Sequence, residues 1–181
     1  YYDFRHYNDT MVIRMVERIA QRTKFNEHKT IAANILASFH RLEEGAEMRS
    51  YYLPDVQKNL VPLDTFAGHW TYISFVRVED PNCLSELEVM AHFLDTVYRS
   101  NDSIEFLTIV CDRDFQKMYH FLRNSTVDDQ YDWTWLHFDG EYDMLAQFGV
   151  CSYPHFVLLD PEGRLYYNIT PAPSTGFLLS P

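Results

Sequence analysis

The sequence predicts an α/β domain, a mixed β-sheet flanked by helices, with a helical extension at its N-terminus. From residue 70 onward, β-rich apolar runs alternate with segments of helical period. Such alternation implies a parallel core with right-handed crossovers. The last two runs flank Asp160-Pro161-Glu162-Gly163 and read as a hairpin, which adds antiparallel strands. Between them and the N-terminus, the run Tyr72-Ile73-Ser74-Phe75-Val76 leads through Asp80-Pro81-Asn82 into a helix that carries Cys83 in its first turn.

The extension comes first. Residues 1–50 hold two amphipathic helices. Asp9-Thr10 caps the first, from Met11 to about Gln21, with Val12, Met15, Val16, Ile19 and Ala20 on one face. The second runs from about Glu27 to Glu44, striped by Ile31, Ile35, Leu36, Phe39 and Leu42, and Gly45 suits its C-cap. Their apolar faces require burial against each other or against the following domain, so Val12, Val16, Ile31, Ile35 and Phe39 are expected inside.

The domain proper spans 51–181. Two short β-type runs around Lys58-Asn59 form an entry hairpin, and Thr65–Gly68 is a turn. Trp70–Val78 is a strand, and Leu84, Leu87, Ala91, Leu94 and Tyr98 mark a helix to about Ser100. Ile104–Val110 is a second buried strand, Phe115–Leu122 a helix, Trp133–Phe138 a short strand and Tyr142–Phe148 a short helix. His155–Leu159 and Arg164–Ile169 are the hairpin. The tail from Pro171 has no period.

Composition excludes several classes. A length of 181 residues fits one domain with a small appendage. A net charge of -11 and a pI near 5.0 argue against a nucleic-acid surface, and no run of Lys or Arg is present. No apolar stretch is long enough to span a bilayer. The first residue is Tyr and no secretory leader precedes it, which reads as a processed or trimmed chain. Three widely spaced cysteines, Cys83, Cys111 and Cys151, are neither a disulfide framework nor a zinc pattern, and His69, His137 and His155 lack ligand spacing. We therefore expect no metal and no cofactor.

The chemistry-bearing stretch is Phe75–Leu87. Asp is a preferred N-cap, and Pro is preferred at the first helical position. Backbone N–H groups and the helix dipole favour a thiolate at such a helix start. A redox pair spaced C-x-x-C needs its first cysteine at position 80, and that residue is Asp80. The acidic neighbours Glu79, Asp80 and Glu86 are expected to raise the Cys83 pKa and blunt its reactivity.

From about Tyr51 onward the chain resembles the thioredoxin superfamily, and within it the TlpA-like thiol-disulfide oxidoreductases. Leu63–Gly68 is similar to the family lead "L-x-x-F-x-G-K", and Phe75 stands eight residues before Cys83 where the family has Phe-Trp. Cys83-Leu84-Ser85-Glu86 resembles the second redox cysteine and the Glu after it. Phe148–Pro154, with Phe156–Gly163 behind it, is similar to "Y-x-V-x-x-x-P-x-x-F-L-I-D-x-x-G". The resemblance implies a thioredoxin-like fold and a cis Tyr153–Pro154 bond facing the Cys83 turn. X-Pro bonds are cis only about 5–6% of the time in folded proteins, so this expectation discriminates. It also implies a proton-handling role for Glu86, whose alternative is an ordinary first-turn Glu favoured by the dipole. The family's C-terminal helix is not evident in the tail.

Three readings follow. The first is a degenerate thioredoxin-like domain, with active-site-equivalent residues Asp80, Cys83, Glu86, Tyr153 and Pro154. It binds an extended peptide or an envelope protein at the Pro154 loop without dithiol chemistry. The second is a single-cysteine enzyme using Cys83, either a thiol-disulfide oxidoreductase or a peroxiredoxin-like peroxidase. Cys83–Glu86 is similar to the peroxiredoxin "C-P-[TS]-E", but Asp80 and Val76 stand where that family has Thr and Pro, and no arginine is placed by motif. In the third, Cys151 replaces the lost partner; the resemblance places all three cysteines toward one end of the sheet, and a bridge needs Cα atoms within about 7 Å. The address implied by the resemblance is the bacterial periplasm or envelope.

Overall fold

The computed structural model of the protein describes residues 9–29, 31, 32, 44–96, 103–125, 133–167 and 169–179. Its elements, in chain order, are α1 (Asp9–Arg22), β1 (Tyr52–Pro54), β2 (Leu60–Pro62), β3 (Trp70–Val76), α2 (Pro81–Thr96), β4 (Ile104–Val110), α3 (Phe115–Asn124), β5 (Trp133–His137), α4 (Tyr142–Gln147), β6 (His155–Leu159) and β7 (Leu165–Tyr167). Short 3-10 turns occupy Leu63–Phe66, Pro173–Thr175 and Phe177–Leu179.

The sheet runs β5-β4-β3-β6-β7. Strands β3, β4 and β5 are parallel, and β6 and β7 are antiparallel to their neighbours. This is the mixed α/β sheet that the strand–helix alternation predicts. β3 lies at its centre, buried on both faces, which is why its sequence reads as a nearly continuous apolar run. Period-two alternation sends Ile73 and Phe75 into the core shared with Leu53, Met144 and Phe148. Tyr72 and Val76 enter the opposite core, beneath Leu87 and Met90 of α2 and Met118 of α3. Trp133 and Trp135 pack in that second core, and the Trp133 indole donates to Thr108 Oγ1 at 2.8 Å. In the entry hairpin, the Asp55 carboxylate accepts from the Gln57 and Asn59 N–H groups, both at 2.8 Å, and holds the turn.

Strand β3 ends two residues earlier than its apolar run suggests. Val78 is buried, but its N–H turns to the Asp112 side chain instead of to a strand. Gly45 also has a part the sequence does not announce. Its N–H donates to the Leu165 carbonyl at 2.7 Å, Ala46 accepts from Leu165 N–H, and Glu47 bridges Arg164. The chain entering the domain thus pairs on the outer edge of β7, with Gly45 at φ 84, a left-handed conformation that favours glycine.

In the extension, Val16 is buried as expected, but Ile31 is 56% exposed. Ala32, its helical neighbour, takes the inward position instead. The Val12 side chain, Ile35, Phe39 and most of the second expected helix lie outside the described residues.

After β7 the chain crosses the α2 face. Thr170 N–H pairs with the Phe156 carbonyl, the Tyr72 hydroxyl donates to Pro171 O at 2.9 Å, and Leu178 is buried in the α2-side core. The described part of this tail is 3-10 turns rather than an α-helix.

Candidate functional site

The C-terminal ends of β3, β4 and β5 open into loops at one end of the sheet, the end where α/β sheets generally bind ligands. Asp80 sits there as the N-cap of α2. Its Oδ1 accepts from Asn82 N–H at 2.8 Å and Cys83 N–H at 3.2 Å, and its carbonyl accepts from Leu84 N–H. Pro81 is the first helical residue. The sequence fixes this local structure for the reasons given above: a capping carboxylate, then a residue with no N–H to satisfy. The carboxylate at position 80 is therefore a working part of the helix start.

Cys83 is fully buried, at 0% exposure, and its sulfur accepts a 3.4 Å hydrogen bond from Arg77 N–H. Burial, more than any charge, pushes its pKa up to about 11. The Arg77 N–H opposes the shift, and Asp80 and Asp112 add to it. The acidic residues that act on it thus differ from the expected set. Of Glu79, Asp80 and Glu86, only Asp80 is among them. Glu79 instead pairs with Lys117. Glu86 holds the tail: its two oxygens accept from Ser174 N–H at 2.9 Å and Ser174 Oγ at 2.6 Å.

Cys111 is also buried, and its thiol donates to the Ile109 carbonyl at 3.5 Å. Burial pushes its pKa up to about 12, against a hydrogen bond from the Tyr153 hydroxyl. Cys83 lies near enough for its charge to act on Cys111, yet the Val76–Arg77 peptide separates them. The carbonyl of that peptide accepts from Cys111 N–H at 2.8 Å, and its N–H points at Cys83 Sγ. In a trans peptide these groups face opposite ways. The two side chains belong to different core clusters, Cys111 with Phe75 and Cys83 with Val76. Cys151 is exposed on the loop before β6. All three thiols are free.

The Tyr153–Pro154 bond is cis. The Tyr153 side chain packs against both cores, and its ring lies under the Arg77 guanidinium, 5.7 Å from the centroid. Tyr153 thus bridges the Arg77 side chain and Cys111, which its hydroxyl reaches. The adjoining backbone of Cys151, Ser152 and Tyr153 has no hydrogen-bond partner among the described residues. It is therefore open to a passing strand.

Beside this loop, a cleft of about 260 Å³ is lined by Arg77, Glu79, Asp80, Pro81, Asp112 and Lys117. Buried Asp112 accepts from Val78 N–H at 2.9 Å and lies 3.9 Å from Lys117 Nζ. His137 is buried behind it. Its Nδ1 accepts from Asp139 N–H at 3.1 Å and its Nε2–H donates to the Asp112 carbonyl at 2.7 Å, which orients the ring. Among the described residues no group of three His, Cys, Asp or Glu side chains is arranged to hold a metal ion.

The structure thus brings Asp80, Cys83, Tyr153 and Pro154 to one end of the sheet and turns Glu86 to the tail. Sequence reasoning passed over Arg77, Asp112 and Lys117. Arg77 and Asp112 each stand just past the apolar run of a buried parallel strand, and that position was the available signal. No motif marks Lys117.

A family profile described as thioredoxin-like matches residues 68–165, more than half of the chain. None of the curated proteins matches it. Among solved structures, a provisionally assigned thiol-disulfide oxidoreductase of Bacteroides vulgatus superposes with a TM-score of 0.64 at 20% identity, covering 74% of this chain and 89% of that one. A thiol-disulfide oxidoreductase of Bacteroides fragilis gives 0.59 at 17% identity, covering 76% and 98%. The exposed lipoprotein thioredoxin of Streptococcus pneumoniae gives 0.53 at 21% identity, covering 65% and 85%. At such identities the likeness is one of fold. Together with the sheet order, the helix start at Asp80 and the cis proline, the profile match establishes that this chain belongs to the thioredoxin-like family.

Proposed function

We propose that this is a TlpA-type thioredoxin-like domain that binds an extended peptide or protein segment at the Cys151–Pro154 loop and has lost dithiol exchange. The loss rests on one observation: the sulfur that remains, Cys83, is fully buried with a raised pKa, while the attacking position is a helix-capping carboxylate. Exchange needs an accessible thiolate to attack and a second thiol to resolve the mixed disulfide. Binding is supported by the unpaired Cys151–Tyr153 backbone beside the cis proline, a geometry suited to strand addition. The bacterial periplasm or envelope is the proposed address, in keeping with an exposed lipoprotein among the similar structures. No helix among the described residues is long and apolar enough to cross a membrane.

A second reading keeps Cys83 as a single-cysteine oxidoreductase. Two observations favour it: similar structures are described as thiol-disulfide oxidoreductases, and Arg77 lies where its charge lowers the thiol pKa. It requires the fully buried Cys83 sulfur to become accessible. Hydrogen exchange tests the binding reading. With a reduced, carboxymethylated unfolded protein at saturation, the amides of Cys151–Tyr153 should slow. Unchanged exchange there contradicts it.

A further inference from the structure

The charges around the cleft are not equally engaged. The Asp80 carboxylate caps α2, Asp112 accepts from Val78 N–H, and Glu79 pairs with Lys117. Lys117 is held in turn between Glu79 and Asp112. Arg77 differs from all of them. Its side chain is exposed, rests on the Tyr153 ring and forms no ion pair with any described residue. It lines the cleft and reaches the Cys151–Tyr153 segment, whose backbone is unpaired among the described residues, through the Tyr153 ring. A strand laid along that backbone passes the guanidinium with one of its side chains. We infer that Arg77 is the specificity-determining residue of this loop, and that it selects an extended peptide carrying a carboxylate at the position facing it.

The inference rests on the peptide-binding reading and adds a substrate class to it. Guanidinium is suited to a carboxylate through its planar, paired donors. Stacking on Tyr153 restrains the side chain in advance, so less rotamer freedom is lost on binding. The neighbouring acidic groups disfavour a second carboxylate, which limits the preference to one acidic side chain in place of a generally acidic peptide.

The test is an NMR titration with three extended hexapeptides, identical except for Glu, Gln or Lys at one central position, scanned through the register. The Glu peptide should bind about fivefold more tightly than the Gln peptide, with the Lys peptide weakest, and added salt should shrink the difference. Arg77→Gln should equalise Glu and Gln, and Arg77→Glu should reverse the order of Glu and Lys. Dispersed spectra establish that both variants fold. If all three peptides bind the wild type equally, the Arg77 assignment fails while peptide binding stands. Should none shift the Cys151–Tyr153 amides, peptide binding fails and this assignment with it.

Discussion

Cys83 and Asp80 carry opposite lessons about what a residue identity means. Asp80 looks like a lost nucleophile, yet it satisfies two N–H groups of α2. Cys83 looks like a surviving nucleophile, yet it has no exposed surface. Only Cys151 is exposed, so a thiol-specific chromogenic disulfide should react rapidly with one equivalent of native protein and with three in denaturant. Cys151→Ser should remove the fast phase; if it persists, Cys83 or Cys111 is reachable. The same two buried thiols make a pH prediction. Their folded pKa values, about 11 and about 12, lie above the ordinary 9.0. Between those limits the folded chain retains protons that the unfolded chain releases, so unfolding becomes easier as pH rises. Their contribution is fully present below pH 9.0 and declines toward pH 12. The urea midpoint should fall over that range, and less steeply in Cys83→Ala. The position of Asp80 and Cys83 at a helix start was legible in the sequence because capping is a local rule. The depth of Cys83 was not, because the core that buries it draws Val76, Met118 and Phe156 from elements far apart in the chain.

At the scale of elements, α2 is held at both faces. Leu87, Met90 and Phe93 pack on the sheet, and the tail is fastened outside through Ser174 and Glu86. Glu86 is a positioning residue for the tail in this account. Glu86→Ala should cost about 1–3 kcal/mol in denaturant unfolding, as expected for hydrogen bonds to a charged group. It should also expose the segment after Thr170 to proteolysis. A stability change below about 0.3 kcal/mol with an intact tail would remove that role. The resemblance pointed to Glu86 as a proton carrier, and nothing in the sequence before Pro171 announces Ser174 as its partner. Such a contact joins residues far apart in the chain, which local pattern does not reach. Strand content was legible for the opposite reason. β3, β4 and β6 are mostly apolar and buried on both faces, and only a buried strand or helix satisfies such a run.

For the molecule as a whole, the sheet and the helix start of the family are kept over the matched residues 68–165, while Asp80 stands where its first redox cysteine would be. The cis proline and the sheet order place the Cys151–Pro154 loop beside the helix start, and the sulfur that would make that meeting reactive is replaced by a cap. The measurement that tests this most directly is insulin reduction by dithiothreitol, comparing the wild type, Cys83→Ser and Asp80→Cys. The account predicts no turnover by the wild type above the Cys83→Ser control. It predicts a gain for Asp80→Cys, which puts an attacking thiol at the α2 start with Cys83 to resolve the mixed disulfide. Robust wild-type turnover that disappears in Cys83→Ser would contradict it and make Cys83 a catalytic residue.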